Sequence, residues 1–141
     1  MLKLSTKGRY AARLMLELAG CYGKKALRLK DIAASQEISE GYLEHIVPRL
    51  LSAGLICSRG RGHGGYMLAR DPAEITLGNI MRAMSNEINL VACVRVPKQC
   101  RRSATCVMRE VWSEVNEKFS GMLDAITLGE MRKRQQQKIA G

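Results

Sequence analysis

Aromatic side chains are scarce in this chain of 141 residues: one Trp, one Phe and four Tyr, 4% of the whole. That scarcity argues against a stacking platform for nucleic-acid bases, which needs successive aromatic faces. No apolar run approaches the ~20 residues of a membrane span, and no charged-then-apolar signal segment opens the chain. A cytoplasmic protein without membrane attachment is expected. A Ser-His-Asp arrangement, paired catalytic carboxylates and a nucleotide-binding Gly-Lys-Ser/Thr loop are all missing, so an enzyme is not expected. Carboxylates are absent from two long stretches, residues 45–70 and 91–109.

What is present is positive charge on a globular composition. Apolar residues make up 46% and charged residues 26%, enough for a core. The length suits one compact domain or a small domain plus an appended element. Lys and Arg number 23 against 13 Asp and Glu, a net charge of +10. A polyanionic partner follows, nucleic acid before membrane. Nine of the ten net charges fall in the acid-free stretches: Arg49, Arg59, Arg61 and Arg70 in the first, and Arg95, Lys98, Arg101, Arg102 and Arg109 in the second.

Hydrophobic spacing places the elements. Tyr10, Leu14, Leu18 and Cys21 recur on one helical stripe over residues 6–22, with Gly23 as a stop. Leu29 to Gln36 reads as a short helix with Ile32 and Ala33 inward, and Ser39 as the N-cap of the next. That helix carries Tyr42, Leu43, Ile46, Leu50 and Leu51 up to Gly54, with a bend or a shorter helix expected at Pro48. Leu55–Ser58 and the Tyr66–Ala69 run flank a Gly/Arg tip and predict a β-hairpin. Thr76 is placed to cap a helix over Leu77, Ile80, Met81 and Met84. Residues 85–103 lack a period. From Ala104 one apolar stripe runs through Val107, Val111, Trp112, Val115, Phe119, Met122, Leu123 and Ile126, about six helical turns. A body of ~100 residues with its own core cannot fully cover such a stripe, so a homodimer is expected. No internal repeat is apparent, and the RKRQQQK segment reads as a low-complexity tail.

A short helix, a tight turn, a capped second helix and an arginine-bearing hairpin make a winged helix-turn-helix. The second helix fits the DNA major groove, and the hairpin's arginines suit phosphates or the minor groove. Glu40, Gly41, Glu44 and His45 face outward on the second helix. Glu44 suits either a cytosine amino group or a solvated helix face. Cys93, Cys100 and Cys106 form a C-x6-C-x5-C series inside the second acid-free stretch. A zinc ion would need a fourth Cys or His, and the only histidines, His45 and His63, lie in the DNA-binding half. Three thiolates with one further ligand can hold an iron–sulfur cluster, and the surrounding cations suit its negative charge. A cluster-free regulator controlled by thiol oxidation or by a partner protein is the alternative, with a small iron–sulfur electron-transfer protein behind it, while Cys21 and Cys57 are expected to be small buried residues.

The residues LSTKGRYA, LKDIA..Q.IS.GYLE, GGYMLARDP, ITLGNIM, the three cysteines, the Trp after them and FSGMLDAITLGEM resemble the IscR-like winged-helix regulators. That group includes NsrR, RirA and CymR, and the resemblance runs from residue 2 to about 132. It implies a mainly α fold with a small β-hairpin wing: residues 1–84 as the winged helix-turn-helix domain, 85–106 as a cysteine-bearing cluster loop, and 107–141 as a long dimerisation helix and C-terminal tail. It implies a homodimer on a palindromic double-stranded DNA operator, with a cluster that controls DNA affinity. The implied cluster ligands are Cys93, Cys100 and Cys106, with 2Fe-2S preferred to 4Fe-4S. The implied DNA contacts include Gly41, Tyr42, Glu44, His45, Arg59 and Arg61, and Lys7, Arg9, Ser39 and Arg49 complete the candidate set. Two departures stand out. Arg109 occupies the place of a histidine three residues after the third cysteine in IscR, and Arg9 that of an aspartate in NsrR. Arginine stays protonated and is a poor ligand, so the fourth ligand is Glu87, Glu110, a partner-subunit residue or an exogenous molecule.

Overall fold

The computed structural model describes residues 4–60, 64–85 and 88–141. Seven helices and one two-stranded hairpin make up the described chain. Helix α1, Thr6–Gly20, starts where the Ser5 hydroxyl accepts from the Gly8 N–H at 3.0 Å. Its buried stripe of Ala11, Leu14, Met15 and Leu18 is the centre of the core. Helices α2 (Leu29–Gln36), α3 (Glu40–Ser52), α4 (Leu77–Ser85) and α7 (Leu128–Ala140) all pack against it. Helix α2 has the predicted bounds and buries Ile32 and Ala33. Glu37 then takes a left-handed conformation, φ 55°, which turns the chain so that Ile38 is buried and Ser39 caps α3.

Helix α3 continues through Pro48 to Ser52. Pro48 lies on the exposed face, where water can satisfy the Glu44 carbonyl left without its intrahelical donor. Buried Ile46, Val47 and Leu50 hold the opposite face on the core. The hairpin comprises β1 (Ile56–Arg59) and β2 (Gly65–Leu68), antiparallel with Ile56 opposite Leu68 and Arg59 opposite Gly65. Cys21 and Cys57, expected to be buried, are half-buried.

Two further expectations need correction. The RKRQQQK segment is not a tail but most of α7. Thr127 caps this helix by accepting from the Glu130 N–H at 3.1 Å, and Leu128 is fully buried. The Glu130–Arg134 pair adds support one turn on, and Arg132 lies over Gly20 of α1. Burial at its first turn, together with the high helix propensity of Arg, Lys and Gln along its length, makes this segment a helix. A short internal repeat also exists: Ile-Thr-Leu-Gly occurs at residues 75–78 and again at 126–129. The two copies pair antiparallel through a Thr76–Thr127 bridge. The Leu77 N–H donates to the Ile126 carbonyl and the Leu128 N–H to the Ile75 carbonyl, each at 2.8 Å. Each threonine also caps the helix it begins. Thr76 does so with Asn79 in a reciprocal pair of bonds at 2.9 and 3.0 Å.

The long helix α6, Val107–Ala125, joins this junction at its C-terminal end. Arg82 of α4 grips Asp124 of α6 with two hydrogen bonds of 2.7 Å. Gly78 makes room for this pair, since a Cβ there would stand 2.0 Å from Asp124 Oδ1. The hydrogen bond from Arg82, with its charge and the Thr76 hydroxyl, holds the Asp124 carboxyl below the usual carboxylate range despite partial desolvation. The folded-state pKa is depressed, so the pair's stabilisation is present above the ordinary carboxylate pKa and is lost as pH falls through the lowered one. Both side chains are partly exposed, which limits the contribution to about 1 kcal/mol. Asp124→Asn should lower stability by about that amount near neutral pH and by progressively less in acid, read from urea melts at several pH values.

Candidate nucleic-acid interface and cysteine loop

Local capping and an interhelical polar network fix the N-terminal end of α3. The Ser39 hydroxyl accepts from the Tyr42 N–H at 3.2 Å. The Tyr42 ring meets Tyr10 of α1 edge-on, with centroids 5.3 Å apart, and the Arg13 guanidinium lies 5.5 Å from the Tyr10 centroid. Arg13 also donates to the side chain and carbonyl of Gln36, while Ser35 and Gln36 donate to Glu17. Helices α1 and α2 are thereby bolted together beneath the entry to α3. On the resulting surface Gly41, Glu44 and His45 are exposed and Tyr42 is half-buried.

The other candidates occupy distinct places. Lys7 and Arg9 are exposed at the start of α1, whose first turn holds no acid, and Arg9 donates to the Thr6 hydroxyl at 3.2 Å. Arg49 is engaged within the protein, its Nη1 donating to the Met84 carbonyl at the end of α4. Arg59 is exposed at the end of β1. Arg61 and His63, with the tip between them, lie outside the described residues, as does Glu87. The hairpin is anchored by Leu27, which exchanges two backbone hydrogen bonds with Tyr66 at 2.8 and 2.9 Å. Gly65 permits that approach: a Cβ there would lie 2.3 Å from the Leu27 carbonyl oxygen. At the tip Gly60 has φ 86°, and Gly64 fits against the backbone of Arg59 and Gly60.

The cysteine series follows α4 as a chain of short turns. Cys93 is half-buried in α5, Ala92–Arg95. Cys100 is exposed after a 3-10 turn, Pro97–Gln99, and half-buried Cys106 is the N-cap residue of α6. Arg109 donates from Nε to the Cys93 carbonyl at 3.3 Å, and the Ser103 hydroxyl to the Pro97 carbonyl at 2.6 Å. Asn116 of α6 accepts from the Leu90 N–H at 2.9 Å and donates to the Asn89 side chain at 3.3 Å. The loop is thus tied to α6 at two levels. All five cysteines are free thiols. Among the described residues no three Cys, His, Asp or Glu side chains gather as a metal-holding group. The donor chemistry nevertheless suits three of a cluster's four protein ligands, because Cys93, Cys100 and Cys106 share one cationic segment. Arg109 supplies no fourth, and Glu110 is exposed in the first turn of α6.

Sequence reading missed three features: the Tyr10–Tyr42 contact, the Asn116 tie and the engagement of Arg49 by α4. Each joins residues remote in the chain. Along α6, Val107, Met108, Val111, Trp112, Val115 and Met122 are all exposed, and only Leu123 is buried. No helix among the described residues is long and apolar enough to cross a membrane.

A capped second helix on a polar-locked helix pair, with a glycine-seated hairpin beside it, defines a winged helix-turn-helix DNA-binding protein. The chain belongs to the Rrf2 family of iron-dependent transcriptional regulators, whose profile matches residues 4–134. It is similar to the HTH-type transcriptional regulator IscR of Photobacterium profundum, 37% identical over 142 residues, which cover 99% of this chain and 81% of IscR. Among solved structures it resembles CymR, the global cysteine regulator of B. subtilis, with TM-score 0.79 and 36% identity, covering 95% of this chain and 98% of that one. T. potens IscR superposes with TM-score 0.76 and 36% identity, covering 95% and 88%. The protein is a transcriptional regulator and not an enzyme.

The contact at Gly65 yields a direct expectation for the wing. In Gly65→Ala the new methyl meets backbone that cannot swing aside, so the Leu27–Tyr66 bonds should break. Exchange of the Leu27 and Tyr66 amide protons should become much faster, and protein stability should fall by about 1–3 kcal/mol.

Proposed function

We propose that this regulator binds a palindromic double-stranded DNA operator as a cytoplasmic homodimer and that Cys93, Cys100 and Cys106 control its affinity. The proposed division follows the sequence: residues 1–84 bind DNA, 85–106 sense and 107–141 dimerise, with α7 packed back on α1. In each subunit the N-terminal end of α3, with Gly41, Tyr42, Glu44 and His45, enters the major groove. Ser39 holds its first turn, Lys7 and Arg9 lie toward phosphates, Arg59 faces DNA from the end of β1, and the sequence assigns Arg61 to the same contact. Arg49, at the surface, holds α3 to α4 through the Met84 carbonyl and adds its charge to the flank of the helix. The exposed apolar stripe of α6 supports the dimer, since unpaired it leaves Val107 68% and Met122 66% exposed to water.

Control by the cysteines rests chiefly on one observation: three free thiols share a carboxylate-free segment docked on α6. In the reading we favour, Cys93, Cys100 and Cys106 hold an iron–sulfur cluster of 2Fe-2S type, and the fourth ligand comes from outside the three. When bound, such a cluster supplies redox and nitric-oxide sensitivity. The chain's own part is to connect loop and helix. Asn116 fixes the backbone before Cys93, Arg109 fixes the Cys93 carbonyl, and Cys106 starts α6. A rearrangement among the thiols is therefore felt at the N-terminal end of α6. Arg109, standing at the place of a ligand histidine, favours a second reading in which thiol oxidation acts without a metal.

Four measurements test these assignments. Protein purified without oxygen should be coloured, contain iron and sulfide, and lose both in Cys93→Ala, Cys100→Ala and Cys106→Ala. A colourless, iron-free protein that still binds DNA overturns the cluster. A reversible thiol-oxidant effect on its DNA affinity, lost in the same variants, then supports the metal-free reading. Arg59→Ala should weaken DNA binding and reduce the slope of log affinity against log salt by about 1, and an unchanged slope removes the wing from the interface. Val115→Glu should yield monomers by light scattering if the α6 stripe is the dimer seam.

A further inference from the structure

An open groove of about 600 Å³ lies between the C-terminal half of α3 and α4, on the flank of the recognition helix. Its volume is that of a small-molecule site. Arg49, Arg70 and Arg82 line it, and no carboxylate does. The three guanidiniums differ in what already compensates them. Arg82 is neutralised by Asp124. Arg49 donates to a neutral carbonyl and keeps its full charge. Arg70 is exposed and has no ion pair or hydrogen bond among the described residues. The neighbouring Asp71 carboxylate is directed to the Ala73 N–H, as a cap at 2.8 Å. Two positive charges are left uncompensated in the groove, with Ser52 and Asn79 adding polar groups to its lining.

We propose that this groove binds a small dianion carrying a phosphate, sulfate or pair of carboxylate groups. Guanidinium forks match the planar or trigonal faces of such oxyanions, and two unpaired charges call for a ligand of charge near −2. The occupant would touch α3 and α4 together, and through Arg82 and Asp124 its charge would bear on α6. The site is independent of the cysteine loop, so it stands or falls apart from the cluster reading.

The test is calorimetric titration of the full chain with inorganic phosphate, sulfate and malonate, in chloride buffer at constant ionic strength. At least one of the three should bind saturably with a stoichiometry near one per chain, and the one that does identifies the anion class. Arg70→Ala should weaken it at least tenfold and Arg70→Lys by less. Arg134→Ala, which removes an arginine of α7 outside the groove, should leave it unchanged. Arg70 is exposed and unpaired, so both variants should retain the wild-type melting profile. Absence of saturable binding by all three anions overturns the proposal, as does equal binding by Arg70→Ala. If no anion saturates, yet Arg70→Ala binds duplex DNA with a reduced salt slope, the groove is a seat for a DNA phosphate instead.

Discussion

Two backbone hydrogen bonds between the paired Ile-Thr-Leu-Gly segments bring the late part of the chain back to its early part. Through them Ile75–Leu77 and Ile126–Leu128 lie side by side, and two helices start from the pair while a third ends at it. Residues 75, 80 and 128 are completely buried around this junction. The N-terminal half of the chain is therefore not a separate bead joined by a linker. Its last helix and the chain's final helix share one polar hinge and one apolar core, and α1 runs through the middle of both.

Placement of the recognition surface depends on the same economy of contacts. Helix α3 has no long hydrogen-bonded sheet to orient it. Its attitude comes from the buried face of Leu43, Ile46, Val47 and Leu50, trimmed by Ser39 at its first turn, an aromatic edge contact with α1 and the Arg49 bond to α4. The Arg13–Gln36–Glu17 network supports the cap and the aromatic contact from below. Most of this network is exposed to water, so it sets the orientation of the helix entry while the buried apolar face supplies the bulk of the holding energy.

Local chemistry was legible in the sequence, and remote pairing was not. The bounds of α2, the caps at Ser39 and Thr76, the hairpin and the outward face of α3 all follow from spacing within a few residues. The exposed stripe on α6 was likewise visible as a period. By contrast, the RKRQQQK segment, whose residues favour a helix, is placed by Leu128 finding a buried seat on the core, which no local pattern reveals. Gly65 reads as a turn residue, yet its essential contact is the Leu27 carbonyl. The left-handed backbone of Glu37 has no residue-type signature, since glycine or asparagine would be expected there. Arg49 reads in the sequence only as a surface charge, and its bond to the Met84 carbonyl depends on where α4 packs. The three cysteines were found by type and spacing, whereas the Asn116 and Arg109 ties that seat their loop depend on the packing of α6.

The attachment of α6 has a mechanical corollary. Its firm anchors, Leu123 and Asp124, are at one end, and Cys106 is at the other. Nineteen residues of helix make a rod of roughly 28 Å. A tilt of about 5° about the anchored end would displace the cysteine end by roughly 2 Å, comparable to the helix shifts by which many proteins switch state. The rod works equally in reverse: a displacement at the cysteine end returns to Arg82 and α4 as a small rotation with high leverage.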